Sequence, residues 1–383
     1  MNLLSQWRIP ALPFVFRPLS SPDNPAGIPN HLPFQFAVEE STGRAAQMPD
    51  TVVAQALDAA YRCGSEMPGM MERHGIGREY AEDFLNTLRH SFGRPFAGLR
   101  VLEIGCGTGY LLHRLQNEGA DVTGIEPGHQ SGQESSGVNI VRGFFPAAAV
   151  EGDYDLILMY CLLEHLPGPA DFLRTVLARL APGGMVCLAV PDAGGFLERG
   201  DVSLLFSEHY SYFTADSLRR TIAEAGGGGI RVQRSSFSAL LFACCGREAA
   251  IANESAVTGD EISLTTRFQR RAEDFMEKFR RQLESSRAGG REVGLYAAGR
   301  AVNVLALSGA PLERLRFFDD CAMLHGTYFP AMPVAVENRD DFQRRPPDEV
   351  LIMSVSFGAR IEAALRPLAP ARLRFRQLET LCT

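Results

Sequence analysis

Arg100-Val101-Leu102-Glu103-Ile104-Gly105-Cys106-Gly107-Thr108-Gly109-Tyr110-Leu111-Leu112-His113-Arg114-Leu115 is the stretch on which the fold turns. Its first five residues read as a buried strand, and its last six as the opening of a helix. Between them glycines recur at alternate positions, which lets the backbone turn tightly and come close to a ligand. A strand, a glycine turn and a helix in that order open a doubly wound, mostly parallel sheet. In a dinucleotide fingerprint the third glycine would fall at Tyr110, where a bulky side chain blocks close approach of the helix to a pyrophosphate. The nicotinamide fingerprint therefore fails.

Outward from this turn, further apolar strands are read at 121–125, 154–159 and 184–190. A helix is predicted from Ala170 to Leu180, stopped by Pro182-Gly183-Gly184. Two last strands, near 230–233 and 240–244, give the sheet an antiparallel ending. The first core is thus expected over 95–247. Before it, Pro10, Pro13, Pro18, Pro22, Pro25, Pro29 and Pro33 break every candidate helix, so residues 1–94 read as a loop-rich cap. From Val52 to about Ser91 the cap turns helical, with a break near Pro68-Gly69. After it, an amphipathic helix from Ile262 to about Arg287, within a linker over 248–287, is expected to dock between domains. A second alternation over 288–383 begins with Val293-Gly294-Leu295-Tyr296-Ala297-Ala298. The fold class is α/β: a Rossmann-like domain with an N-terminal cap and a smaller C-terminal α/β domain.

Length and composition bound the function. A chain of 383 residues is long enough for two cores. A net charge of -7 opposes the basic footprint a phosphate backbone requires, so nucleic acid is not the expected partner. Arg8, Pro10 and Pro13 interrupt any signal core, and no run of roughly 18 apolar residues occurs, so neither secretion nor a membrane is expected. The reading is cytoplasmic. Eight cysteines, Cys63 and Cys382 among them, form no C-x-x-C pair, which argues against zinc and disulfides. Nothing in the sequence sets an oligomeric state.

The glycine loop resembles motif I of class I methyltransferases, which holds the amino-acid end of S-adenosylmethionine. The second strand ends in Glu126, where such a fold needs a carboxylate for the ribose hydroxyls, and Pro127-Gly128 bends the chain away. Tyr160-Cys161-Leu162-Leu163-Glu164-His165 resembles the family segment that covers adenine and faces the acceptor. Phe144 or Phe145 is placed to pack on the adenine. The cofactor set so implied is Glu103, Gly105, Cys106, Gly107, Gly109, Glu126, Pro127, Phe144, Tyr160 and Cys161.

Phe206-Ser207-Glu208-His209-Tyr210-Ser211-Tyr212-Phe213 resembles the signature of sugar C-methyltransferases acting on nucleotide-linked keto-deoxysugars. The 294–301 stretch, Asp319-Asp320 and Gly326-Thr327-Tyr328-Phe329-Pro330 resemble that family's C-terminal nucleotide-sugar domain. Carbon methylation beside a ketone needs a base, and histidine titrates near the working pH. The resemblance implies His209 as that base, Glu208 as its orienting or proton-sharing partner, and His165 as the group that holds the acceptor. Two departures mark divergence. Phe206 stands where the family has a tyrosine, with Tyr210 or Tyr212 as candidate substitutes, and 34–48 lacks the family's zinc cysteines, so no metal is expected there. The alternatives are O- or N-methylation of a small natural-product intermediate and a non-catalytic cofactor-binding module.

Overall fold

A computed structural model describes residues 3–22, 28–62, 75–128, 137–247 and 259–381. Pro25, Cys63, Cys382 and the break expected near Pro68-Gly69 lie outside them. The N-terminal region is built of strands: β1 (Leu3–Pro13), β2 (His31–Glu39) and β3 (Ala45–Gln47) pair antiparallel. This corrects the loop-rich cap. Proline forbids a helix interior, yet it is tolerated on edge strands and at bulges. β1 is the sheet's edge, and Pro10 and Pro33 fall where the ladder is interrupted between the pairs Ile9–Phe34 and Leu12–Leu32. Leu32, Phe34 and Phe36 then bury alternate positions of β2. Helix α1 (Thr51–Arg62) starts at Asp50, whose Oδ1 accepts from the N–H groups of Val52 and Val53 at 2.8 and 3.2 Å.

Helix α2 (Gly75–Phe92) packs on the central sheet, with Phe84 against Tyr160 and Phe242 at 5.4 and 5.3 Å. That sheet contains β4 (Arg100–Ile104), β5 (Asp121–Glu126), β6 (Asn139–Arg142), β7 (Tyr154–Tyr160) and β8 (Leu180–Pro191). Between these strands lie helices α3 (Tyr110–Gln116) and α4 (Pro169–Leu177). After β8 come α5 (Gly194–Arg199), β9 (Ser211–Tyr212), α6 (Ala215–Glu224), β10 (Gly228–Arg234) and β11 (Leu240–Gly246). The order is β10-β11-β8-β7-β4-β5-β6, in which β11 alone runs against its neighbours. α4 ends three residues before the expected limit. Leu180 instead opens β8 and pairs with Tyr154, and the ladder is irregular before Met185 pairs with Leu156, since Pro182 and Gly183 suit a kink. β9 does not join this sheet; it pairs with β3 and completes the N-terminal one.

The expected linker helix is two helices, α7 (Gly259–Thr266) and α8 (Phe268–Ala288). On α8, Phe268, Ala272, Phe275, Phe279 and Leu283 form one buried face. It shares a core with Phe34 and Phe36 of β2, Leu197 of α5 and Leu295 further on. Beyond α8 lie β12 (Val293–Tyr296), α9 (Ala301–Ser308), β13 (Leu315–Phe318), β14 (Val336–Glu337) and α10 (Arg339–Arg344). The chain finishes with β15 (Glu349–Ile352), α11 (Gly358–Leu365) and β16 (Arg374–Gln377). These strands form an all-parallel sheet in the order β14-β13-β12-β15-β16.

Candidate active site

Gly105, Gly107 and Gly109 have φ of 73°, 50° and 78°, the left-handed region in which a side chain is strained. The loop they form is tied to the end of β5. Glu126 Oε2 accepts from the Gly107 N–H at 3.0 Å, and Oε1 from the Gly128 N–H at 2.7 Å. A carboxylate oxygen accepts twice, so each keeps a lone pair for a hydroxyl. The carboxylate is thereby oriented before any ligand arrives. Cys106 turns its side chain inward, where a Cβ on Gly124 would meet its Sγ at 2.5 Å. Glu103 is buried on β4 opposite Gly124, and Pro127 is exposed after β5.

The two phenylalanines after β6 separate. Phe145 packs on Phe172 at 5.8 Å, while Phe144 is 78% exposed, two residues from Arg142, which pairs with Glu126. Tyr160 ends β7 with its ring buried against Phe84, and Cys161 follows half-buried with a φ of 52°. Leu162 then abuts the loop, 3.2 Å from a Cβ on Gly105.

The acceptor segment is held from three sides. Arg44, buried and paired with Glu39 at 3.2 Å, donates to Ser211 Oγ at 2.6 Å. The Gln47 amide donates to the carbonyls of Ser207 and His209 at 3.1 and 3.0 Å when its nitrogen faces them. From α9, Asn303 donates to the Leu205 carbonyl. The N-terminal sheet and the C-terminal domain therefore both fix the backbone that carries His209.

His165 and His209 meet edge to face, with ring centroids 4.8 Å apart, and Phe206 lies 5.2 Å from His209. His165 Nδ1 lies 3.2 Å from the Glu208 backbone carbonyl. Among the described residues no hydrogen bond joins the Glu208 carboxylate to His209, and it is the Glu208 backbone that meets a histidine. The phenol of Tyr212 is consumed locally: it accepts from the Phe206 N–H and donates to the Phe206 carbonyl at 3.1 and 3.0 Å. Tyr210 packs among Phe14, Phe16 and Leu57.

Burial, then the approach of His165 and of the Arg300 guanidinium, hold His209 well below the usual histidine range. A neutral imidazole can accept a proton. Glu164 is the residue the sequence reading passed over. It is 1% exposed, and burial, opposed by His165 and reinforced by Glu208, pushes its carboxyl up to about 7. The signal was available as an acid inside Leu162-Leu163-Glu164-His165-Leu166, but its burial was not. Arg300, at the turn after β12, lies 5.2 Å over the Phe196 ring and acts electrostatically on both Asp201 and His209.

The C-terminal sheet repeats the plan of the first. Ala297 takes a left-handed φ of 63° in the turn between β12 and α9, and β13 leads to Asp319-Asp320. Asp320 accepts from the Tyr296 hydroxyl and from Arg339, each at 2.5 Å.

Residues 73–226 match the family described as methyltransferase domain, and residues 242–375 match the C-methyltransferase C-terminal domain. The chain thus carries a methyltransferase domain followed by a C-methyltransferase C-terminal domain. It is 36% identical over 138 residues to the ubiquinone biosynthesis O-methyltransferase of Bordetella avium (strain 197N), covering 32% of this chain and 54% of that protein. It is 35% identical over 105 residues to the protein of the same name from Caulobacter sp. (strain K31), covering 25% and 42%. It thus spans about half the length of the curated relatives it matches. A solved structure, the DhpI-SAM-HEP complex, aligns with a TM-score of 0.40 and 20% identity over 52% of this chain and 99% of its own. Among the described residues no helix is long and apolar enough to cross a membrane.

Proposed function

We propose that this chain transfers the methyl group of S-adenosylmethionine to a carbon beside a ketone in a nucleotide-linked sugar or a related polar metabolite. The observation that carries this reading is the edge-to-face contact of His209 with His165, on a segment clamped by the domain that matches the C-methyltransferase C-terminal domain, with burial lowering the proton affinity of His209. The glycine loop would hold the amino-acid end of the cofactor, Glu126 the ribose hydroxyls, and Phe144 the adenine. When bound, the cofactor supplies an electrophilic methyl on a sulfonium. His209 removes the acceptor's C–H proton, and Arg300 favours the negative charge that develops. The small-molecule acceptor meets the nucleotide-binding plan of the second sheet through the turn after β12.

A second reading, O-methylation, is favoured by Phe206, which offers no hydrogen bond to an enolate, and by the names of the curated relatives. The two are separated by incubating enzyme, a panel of nucleotide-linked keto sugars and the demethylated cofactor in heavy water. Carbon chemistry puts deuterium at the position that is methylated, and His209→Asn abolishes it. Transfer of methyl to a hydroxyl, or exchange that survives in His209→Asn, overturns the assignment.

A further inference from the structure

The turn after β7 delivers Glu164 and His165, and the segment before β9 delivers His209. One donor atom from each lies within 4.8 Å of the other two, and Glu164 Oε1 is 4.0 Å from His165 Nε2. These gaps exceed a hydrogen bond. A single oxygen with tetrahedral hydrogen bonds of about 2.8 Å joins groups about 4.6 Å apart. Tetrahedral zinc, with bonds of about 2.0 to 2.1 Å, joins ligand atoms only about 3.4 Å apart. The spacing therefore suits a bridging water better than an ion.

Two further observations point the same way. Glu164 Oε2 is buried and has no hydrogen-bond partner among the described residues, and such an atom is commonly met by an ordered water. A carbonyl only accepts, so the contact to the Glu208 carbonyl places a hydrogen on His165 Nδ1 and, in the neutral ring, leaves the Nε2 lone pair for a bridging water. His165 is also a quarter exposed, whereas the Glu164 side chain is sealed. It is the exit to solvent.

We propose that Glu164 and His165 form a proton relay behind His209, bridged by one water. The proposal rests on the reading of His209 as the base. The acceptor's C–H bond breaks as an N–H bond forms on His209. The carbon's electron pair then takes the methyl group, and the S–CH3 pair stays on sulfur. His209 passes its proton to the water, which gives one to Glu164; Glu164 returns a proton through the same water to His165 Nε2, and that imidazolium exchanges with bulk water. Glu164 acts through His209 and touches no substrate. Its carboxyl, raised to about 7, gives and takes a proton with similar ease, with His165, Glu208 and His209 as the charged or titratable groups around it.

The full chain, carrying ring-labelled histidine, is titrated by NMR from about pH 5 to 9, a range chosen around the ordinary histidine value. The relay predicts that the His165 ring signals carry a further inflection near pH 7 that reports the Glu164 carboxyl, absent in Glu164→Gln and kept in Glu164→Asp. With whichever keto sugar of the panel is methylated, Glu164→Gln should lower kcat by about 10- to 100-fold, leave KM unchanged and lose the limb of the pH profile near 7. A single inflection in the wild-type chain overturns the relay without reference to any acceptor or to the folding of a variant. An unchanged pH profile in Glu164→Gln overturns it too, as does one tightly held divalent ion per chain that is lost in His209→Ala. Failure of deuterium exchange overturns the function reading instead and leaves the titration intact.

Discussion

Replacing Glu164 by Gln should change how stability depends on pH, by an amount the structure allows to be worked out. The carboxyl rises from 4.5 to about 7 on folding because burial disfavours its charge. A difference of about 2.5 units, at about 1.4 kcal/mol per unit, corresponds to about 3 kcal/mol. The folded chain holds this proton more tightly than the unfolded one, so the contribution is complete below pH 4.5 and is lost as pH rises to about 7. Glutamine has the same shape and does not titrate. Wild type should therefore lose about 3 kcal/mol relative to Glu164→Gln between pH 4.5 and 8. His209, whose proton affinity is depressed, contributes with the opposite sign, since stability is lost as pH falls below its ordinary value. It is present in both proteins and largely cancels in the difference. Urea unfolding of both proteins at four or five pH values measures it. A difference that stays constant across the range would refute the claim that Glu164 is buried and proton-bound near neutrality.

Glu126→Ala should weaken S-adenosylmethionine by about 10- to 100-fold in calorimetry, because hydrogen bonds to a charged acceptor are worth about 1.5 to 3 kcal/mol. Unchanged affinity would remove it from the ribose site. Gly124→Ala puts a methyl group 2.5 Å from Cys106 Sγ and 2.8 Å from Leu112. It should cost about 1 to 3 kcal/mol and loosen the cofactor loop, whereas wild-type stability in unfolding experiments would show that the loop does not pack on β5 as described.

Much was legible in advance where the signal is local. Strand, glycine turn and helix over 100–115 follow from local chain geometry, since glycine takes those backbone angles with the least strain, and the carboxylate that ends the next strand stands at a fixed place in the same pattern. The apolar stripe of α8 was equally plain, because a period near 3.6 residues is written into the spacing of Phe268, Phe275, Phe279 and Leu283. The prolines of the first fifty residues misled for a definite reason. They exclude helix by local sterics, but whether an extended segment becomes a strand depends on a partner, and β2 finds its partners in β1 and β3.

Which residues meet His209 was decided only by the tertiary fold. His209 and Glu208 are adjacent in sequence, which suggested that they work together. In the structure the group facing His209 is His165, and the acid beside them is Glu164, 45 positions earlier in the chain than His209. That pairing depends on the turn after β7 and the segment before β9 converging, with the latter fixed by Arg44, Gln47 and Asn303 from two other parts of the chain. Residue type is local information and announced an acid and two histidines. Burial and the approach of distant charges are not local, and they set which of the three holds a proton.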